Sequence, residues 1–409
     1  MWQLGASRKR RRSEGSPVYF TVMEPGTSTL RLLVVEVSGE RTTVLGWAEG
    51  PGWTGGETEP QGLVAACENA LTEAEQMAQA PSGRWVLPDQ VLVGLPASQL
   101  RGRAWSITQR RSNPDRPVEA HELEALLERA LRLAVNRLLS DDRDGANWIL
   151  VDAAPVALTV DGRGVTDPVG FRGREIGATV FAALTRAEVI ATWGLVAREL
   201  EFSSLTLAAT PLALAASVSA SQGILVDVGG ATTDLIWCQA GRPAMLSSLP
   251  AGGEALTQLL LRRWSLSPER AERLKLTYSS GGMATEIGAQ VLEVLSPGLQ
   301  SWLEETEMAL ARLNQEGLLP QHFFLLGGGS ALPEVTEAVR ALAWSRRLQF
   351  VRYPQVGHLR PTDVPGVVNR TGRGQGLGDV SALALAAWAA QQQQPPARPA
   401  LILSELCQE

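Results

Sequence analysis

The sequence predicts an α/β protein of two similar lobes, each built on a β-meander, with a small strand–helix–strand–strand unit inserted into the first. Three observations predict it. Short apolar runs bounded by Gly and Pro turns occur as a meander twice, near residues 18–47 and 223–249. The first turns of the two meanders echo each other: Met23-Glu24-Pro25-Gly26-Thr27-Ser28-Thr29 aligns without gaps with Val226-Asp227-Val228-Gly229-Gly230-Ala231-Thr232, at an offset of 203. Between them lies a stretch of about 75 residues with its own strand and helix periods.

Residues 1–16 read as a flexible basic arm carrying Arg8-Lys9-Arg10-Arg11-Arg12. No apolar run follows it, so it is not a secretory signal, and no uninterrupted apolar stretch approaches the ~18 residues of a membrane span. A cytoplasmic protein is expected. The first lobe, 17–89 and 162–204, holds strands at Val18 to Met23, Leu30 to Val37 and Thr42 to Trp47, then a helix with Leu63, Cys67, Ala70, Leu71, Ala74 and Met77 on one face. The inserted unit, 90–161, runs from a strand at Val91 to Leu95 through a helix at about Val118 to Leu139, to strands at Asn147 to Val151 and Val156 to Val160. The first lobe resumes with a strand, Ala178 to Leu184, and a helix, Arg186 to Leu200, and is closed by the helix 377–391.

The second lobe, 205–252 and 284–376, contains the second meander, Gly223 to Trp237 and Ala244 to Leu249. Residues 253–283 form a reduced fourth subdomain of two helices, the second opened by Ser267-Pro268 as N-cap and N1. Pro297 separates helices at Ala284 to Leu295 and Leu299 to Leu313. A strand, Phe323 to Leu326, a Gly-rich turn and a helix from Pro333 follow. The Gln- and Pro-rich segment 392–409 reads as a disordered tail.

Composition narrows the function. With 44% apolar and 20% charged residues the chain is globular. A net charge of −6 argues against nucleic acid as a partner. Cys67, Cys238 and Cys407 are far apart and only three histidines occur, which excludes a zinc framework. The doubled hairpin suits phosphate. Glycine allows close backbone approach, successive N–H groups form an anion-binding concavity, and Thr or Ser hydroxyls add donors. A carboxylate there can hold water on Mg²⁺. The turn Gly327-Gly328-Gly329-Ser330 lets a flat group lie against backbone before a helix.

On these residues the chain resembles the actin/Hsp70/sugar-kinase superfamily. Asp227 to Asp234 is similar to its second phosphate motif, Glu24 to Thr29 to its first, and Leu326 to Ser330 to its adenosine motif. Within the superfamily it most resembles the cell-division FtsA family. The inserted unit, Asp167-Pro168-Val169-Gly170-Phe171-Arg172-Gly173, and Ala251-Gly252-Gly253-Glu254 with Ala271 to Lys275 carry that likeness over about residues 18–390.

The resemblance implies the two-lobed actin-like ATPase fold, with ATP or ADP and Mg²⁺ in the cleft. It implies phosphate contacts from Gly26, Thr27, Ser28, Gly229, Gly230, Ala231 and Thr232, and Mg²⁺ held through water by Asp227. Gly252, Gly253, Gly327, Gly328 and Gly329 would flank the nucleoside, with Glu272 and Lys275 at the ribose and base. Lys275 is one of only two lysines, the other being Lys9. The resemblance further implies self-association into protofilaments, an FtsZ-like tubulin-type division protein as partner, and weak peripheral membrane contact. Two alternatives stay open, a type IV pilus platform protein and a small-molecule kinase. Ala208-Ala209-Thr210-Pro211 carries no carboxylate or amide where vigorous ATPases of the superfamily have one, so hydrolysis should be slow or absent. The acidic C-terminal end, Leu401 to Glu409, lacks the basic amphipathic character of FtsA tails.

Overall fold

The structure is a computed structural model that describes residues 2–4, 17–53, 60–80, 83–140, 145–218 and 222–407. In chain order its strands are β1 (Trp2–Leu4), β2 (Val18–Pro25), β3 (Thr29–Ser38), β4 (Arg41–Pro51), β5 (Gln90–Leu95), β6 (Arg101–Arg110), β7 (Trp148–Val160), β8 (Arg163–Val165), β9 (Glu175–Arg186), β10 (Ser204–Ala209), β11 (Gln222–Val228), β12 (Thr233–Gln239), β13 (Arg242–Leu249), β14 (His322–Leu326), β15 (Gln355–His358) and β16 (Val367–Asn369). Its helices are α1 (Pro60–Met77), α2 (Ala120–Ser140), α3 (Ala187–Glu199), α4 (Thr210–Ala216), α5 (Gly253–Trp264), α6 (Pro268–Ser279), α7 (Thr285–Asn314), α8 (Pro333–Ala341), α9 (Val380–Gln391) and α10 (Arg398–Leu406).

Two sheets organise the fold. The first has the order β1-β10-β5-β2-β3-β4-β16, and the second β15-β14-β11-β12-β13-β6-β9-β7-β8. Each contains an antiparallel meander, β2-β3-β4 and β11-β12-β13, extended by parallel strands. The central parallel strands β5 and β14 are nearly unbroken apolar runs, as strands covered on both faces require. Helices α4 and α9 pack together, and α9 is buried from Val380 to Ala390, an Ala- and Leu-rich rod whose small side chains let other elements close around it.

Several expectations are corrected. The arm 1–16 was expected to be flexible throughout, yet Trp2–Leu4 pairs antiparallel with β10; the basic cluster Arg8 to Arg12 lies outside the described residues. The strand at Val91 to Leu95 was assigned to the inserted unit, but β5 pairs with β2 and β10 in the first sheet. The inserted unit instead uses β6, whose alternation of Arg101, Arg103, Trp105 and Ile107 with Gly102, Ala104, Ser106 and Thr108 masks a half-exposed strand. It also takes β9, expected in the first lobe, which runs between β6 and β7. The two strands expected across Ala153-Ala154-Pro155 are one, β7, with register shifts between Leu150 and Asp152 and between Pro155 and Ala157. A bulge beside proline absorbs the missing donor without ending the strand.

The boundary at 205 also moves, because β10 belongs to the first sheet and β16 pairs with β4. Pro297 does not break the helix: α7 runs through it, held by buried Val291, Leu295, Leu299 and Trp302 on one face. Packing of a long apolar stripe outweighs the loss of one backbone bond. The segment 392–409 is not wholly disordered, because α10 packs against α2 and β7 with Leu403 fully buried and Arg398 3.0 Å from Asp167. Among the described residues no helix is long and apolar enough to cross a membrane.

Candidate functional site

The two echoing turns face each other across the lobes. Each opens with the same bond at the same offset: Gly26 N–H donates to Thr29 O at 3.0 Å, and Gly229 N–H to Thr232 O at 2.9 Å. Each is also tied to the chain after its third strand, Gly26 O by Trp53 N–H at 2.9 Å and Gly229 O by Gly253 N–H at 2.9 Å. The duplication read from sequence is therefore a duplication of hydrogen bonding.

The hairpins touch. Ala231 N–H donates to Thr27 Oγ1 at 2.9 Å. A Cβ placed on Gly230 would lie 1.8 Å from Ser28 Oγ, so only glycine permits this approach. Among the described residues the N–H groups of Thr27, Ser28, Gly230 and Thr232 meet no acceptor. Unpaired backbone donors clustered on two facing turns are a demand for an anion or water.

Behind the hairpins sits a charged centre in which sequence reading singled out Glu24 and Asp227 but missed Arg31 and Asp379. Arg31 Nη1 lies 3.1 Å from Glu24 Oε2, and Arg31 Nε 2.7 Å from Asp379 Oδ1. Asp227 is beside them, its Oδ2 accepting from Ser381 Oγ at 3.2 Å. Burial pushes the Glu24 carboxyl up to about 7 against the pull of Arg31, with the Asp227 charge adding to the rise. Burial, then the Asp234 charge, pushes Asp227 up to about 7. Burial works against the Arg31 charge too, but Glu24 and Asp379 outweigh it and raise the guanidinium pKa. Asp234 accepts from Ser248 Oγ at 2.6 Å and from Ser98 N–H at 3.2 Å, and burial raises it to about 6. The signal that could have revealed Arg31 is its position, a lone cation in the run Leu30-Arg31-Leu32-Leu33.

The expected nucleoside residues are brought near the second hairpin. Gly252 packs on Gly230, and Glu254 N–H donates to Gly230 O at 2.8 Å. Gly327 adopts φ +82° beside Asp227; a Cβ there would lie 2.3 Å from Asp227 Oδ1. The next glycine, Gly328, opens a short 3₁₀ turn, and Gly329 lies against Val228. Glu272 and Lys275 are engaged otherwise than expected. Lys275 Nζ, buried, donates to Gly253 O at 2.9 Å and Thr257 Oγ1 at 2.8 Å and pairs with Glu272 Oε2 at 2.8 Å, tying α6 to α5. A compact ammonium with three donors suits that corner. Tyr278 of α6 bonds to Glu334 of α8, a link that sequence reading also missed.

Of two cavities, the larger lies elsewhere. One of 1010 Å³ is lined by residues including Ser330, Thr336, His358, Arg360, Asn369 and Gln375, and one of 190 Å³ by Val228, Gly252, Gly253, Leu256, Trp302 and Gly329. Only the smaller adjoins the hairpins.

The donors fit a nucleotide's phosphates, which would enter as Thr27 and Ala231 part. The carboxylates do not fit Mg²⁺. Asp227 is packed against Gly327 and bonded to Ser381, and Glu24 and Asp379 already hold a guanidinium, so among the described residues no carboxylate there is left free to hold the waters of a hydrated ion.

No protein-family profile matches the chain. Cell-division protein FtsA of Rhizobium meliloti (strain 1021) is 24% identical over 337 residues, 75% of this chain and 71% of that protein. The FtsA of Bacillus subtilis (strain 168) is 22% identical over 351 residues, 77% of this chain and 74% of its own length. Among solved structures, the PilM-PilN type IV pilus biogenesis complex contains a chain matched with a TM-score of 0.61 at 20% identity, over 94% of this chain and all of that one.

Proposed function

We propose, for this FtsA-like chain with the actin-like ATPase fold, that it binds a nucleotide between its two lobes and works as a scaffold rather than as a fast enzyme. One observation carries the reading: two hairpins with matching hydrogen bonds face each other and present four unsatisfied N–H groups. Gly26, Thr27, Ser28 and Gly229 to Thr232 would hold phosphate oxygens once the Thr27–Ala231 contact opens. A bound nucleotide supplies negative charge at that point, which the N–H donors receive. Gly252, Gly253 and Gly327 to Gly329 would flank the nucleoside. Glu272 and Lys275 would reach it only by leaving their tie to α5.

Hydrolysis is slow in this reading. Helix α4, Thr-Pro-Leu-Ala-Leu-Ala-Ala, offers no carboxylate or amide to orient water, and the Thr210 hydroxyl is buried. Turnover below ~0.01 s⁻¹ is expected, far under the ~10 s⁻¹ of typical enzymes. Phosphate release of several per second from the purified chain would contradict this.

The lobe angle set by nucleotide would govern head-to-tail association of copies and contact with an FtsZ-like, tubulin-type division protein at the inner face of the membrane. The FtsA relatives support this role. A second reading, an ATP-binding platform for a pilus assembly, is supported by the likeness to a chain of the PilM-PilN complex over 94% of this chain. The small-molecule kinase reading has less support, since α4 offers no carboxylate to serve as a base.

The test is a thermal shift. ATP or ADP at 100 times its dissociation constant should stabilise the chain by ~2.7 kcal/mol through mass action. No shift with either nucleotide at millimolar concentration would sink the reading. Co-sedimentation with a tubulin-like protein or with a pilus membrane peptide then separates the two roles.

A further inference from the structure

We propose that Arg31 stands in for the divalent cation of this cleft, so that a nucleoside di- or triphosphate binds here without Mg²⁺. The inference rests on the nucleotide reading above and deepens it. Its basis is the arrangement of the charged centre. Arg31 lies between Glu24 of its own sheet and Asp379 at the start of α9, at 3.1 and 2.7 Å, with Asp227 of the other lobe alongside. The guanidinium is therefore the cation at the place where the two lobes bring their acids together.

Three features separate this centre from a metal site. Mg²⁺ takes six oxygens in near-octahedral order and keeps several waters. Here one oxygen of Asp227 accepts from Ser381 and the other is pressed against Gly327. Backbone also encloses the guanidinium, since a Cβ at Gly378 would lie 2.9 Å from Nη2 and one at Gly26 would lie 3.8 Å from Nη1. Finally, Nε and Nη1 are committed to carboxylates, whereas Nη2 donates to no protein acceptor among the described residues. Nη2 lies against Gly378, whose Cβ position is also 3.4 Å from Gly328 N, while its neighbour Nη1 is the nitrogen nearer Gly26 of the first hairpin.

A guanidinium with one free edge is suited to a phosphate oxygen, because its donors are planar, fixed and always charged. Glu24 and Asp379 orient it from the other side. When Thr27 and Ala231 part, the free edge and the unsatisfied hairpin amides would meet the same phosphate group. No bond is made or broken in this step; it is a change of hydrogen-bond partners.

Calorimetry on the full chain tests this with ATP and ADP, once in excess Mg²⁺ and once in EDTA. The expected result is a dissociation constant that agrees within about twofold between the two conditions. Binding in Mg²⁺ that weakens about tenfold or more in EDTA would overturn the proposal and leave the nucleotide reading intact. Binding in neither condition would overturn both. Arg31→Met should weaken binding in EDTA by about tenfold or more, while Arg31→Lys, which keeps a cation, should recover part of the loss. If Arg31→Met binds ATP in EDTA as the parent does, the proposal fails. Should Arg31→Met not fold, the comparison of the unaltered chain in Mg²⁺ and EDTA still decides.

Discussion

Asp227 carries the cost of the cleft most visibly. Its folded pKa of about 7 stands above the ~3.9 of an unfolded aspartate, so the native state binds more protons between those values. The favourable contribution is therefore fully present below about pH 4 and is lost as pH rises to about 7. Above that, a buried carboxylate faces Glu24 and Asp234, offset by the Ser381 hydrogen bond and the Arg31 charge. Asp227→Asn removes the charge and keeps an acceptor for Ser381. It should raise the melting temperature by about 2 °C at pH 8, with the gain shrinking toward pH 4. A lower melting temperature at pH 8 would show that the ionised carboxylate is stabilised by something other than these neighbours. At this scale the hairpin glycines and hydroxyls were legible in the sequence, because an exact spacing repeated. Arg31, Asp379 and the Tyr278–Glu334 link were not, since each joins residues far apart in the chain.

Elements were legible where their own period decided them. The meanders, α5, α6 and the strand before Gly327 follow local alternation and turn signals, down to the Ser267 cap, whose hydroxyl accepts from Arg270 N–H at 3.4 Å. The reading failed where tertiary packing overrode a local rule. Pro297 reads as a stop, but the apolar stripe from Val291 to Trp302 continues through it, and that continuity was the better signal. The C-terminal segment failed in the same way. Its Gln and Pro content suggested disorder, whereas Pro399 and Leu403 of α10 are buried, with Leu403 packed on the inserted unit. Burying a leucine contributes about 1.5–3 kcal/mol. Deleting residues 397–409 should therefore lower the melting temperature by several degrees and leave liposome binding unchanged. Loss of liposome binding with unaltered stability would return the tail to a membrane role.

At the scale of the molecule, the duplication visible in sequence is the duplication that makes the cleft, and its closure is what sequence could not show. Helices α4 and α9, packed on each other, lie between the two sheets that carry the hairpins. The meander of the second lobe continues through β13 and β6, where Met245 pairs with Arg103, into the sheet of the inserted unit. One continuous sheet thus joins the second lobe to the inserted unit. The central claim is that nucleotide phosphates are received by the unpaired amides of both hairpins together. Amide hydrogen exchange, measured with and without saturating ADP on peptides covering residues 24–30 and 228–233, tests it most directly. Slowed exchange at Thr27, Ser28, Gly230 and Thr232, in both hairpins at the same ligand concentration, is the result predicted. Exchange left unchanged at both hairpins while ADP is bound, or protection confined to residues lining the larger cavity near His358 and Arg360, would contradict it.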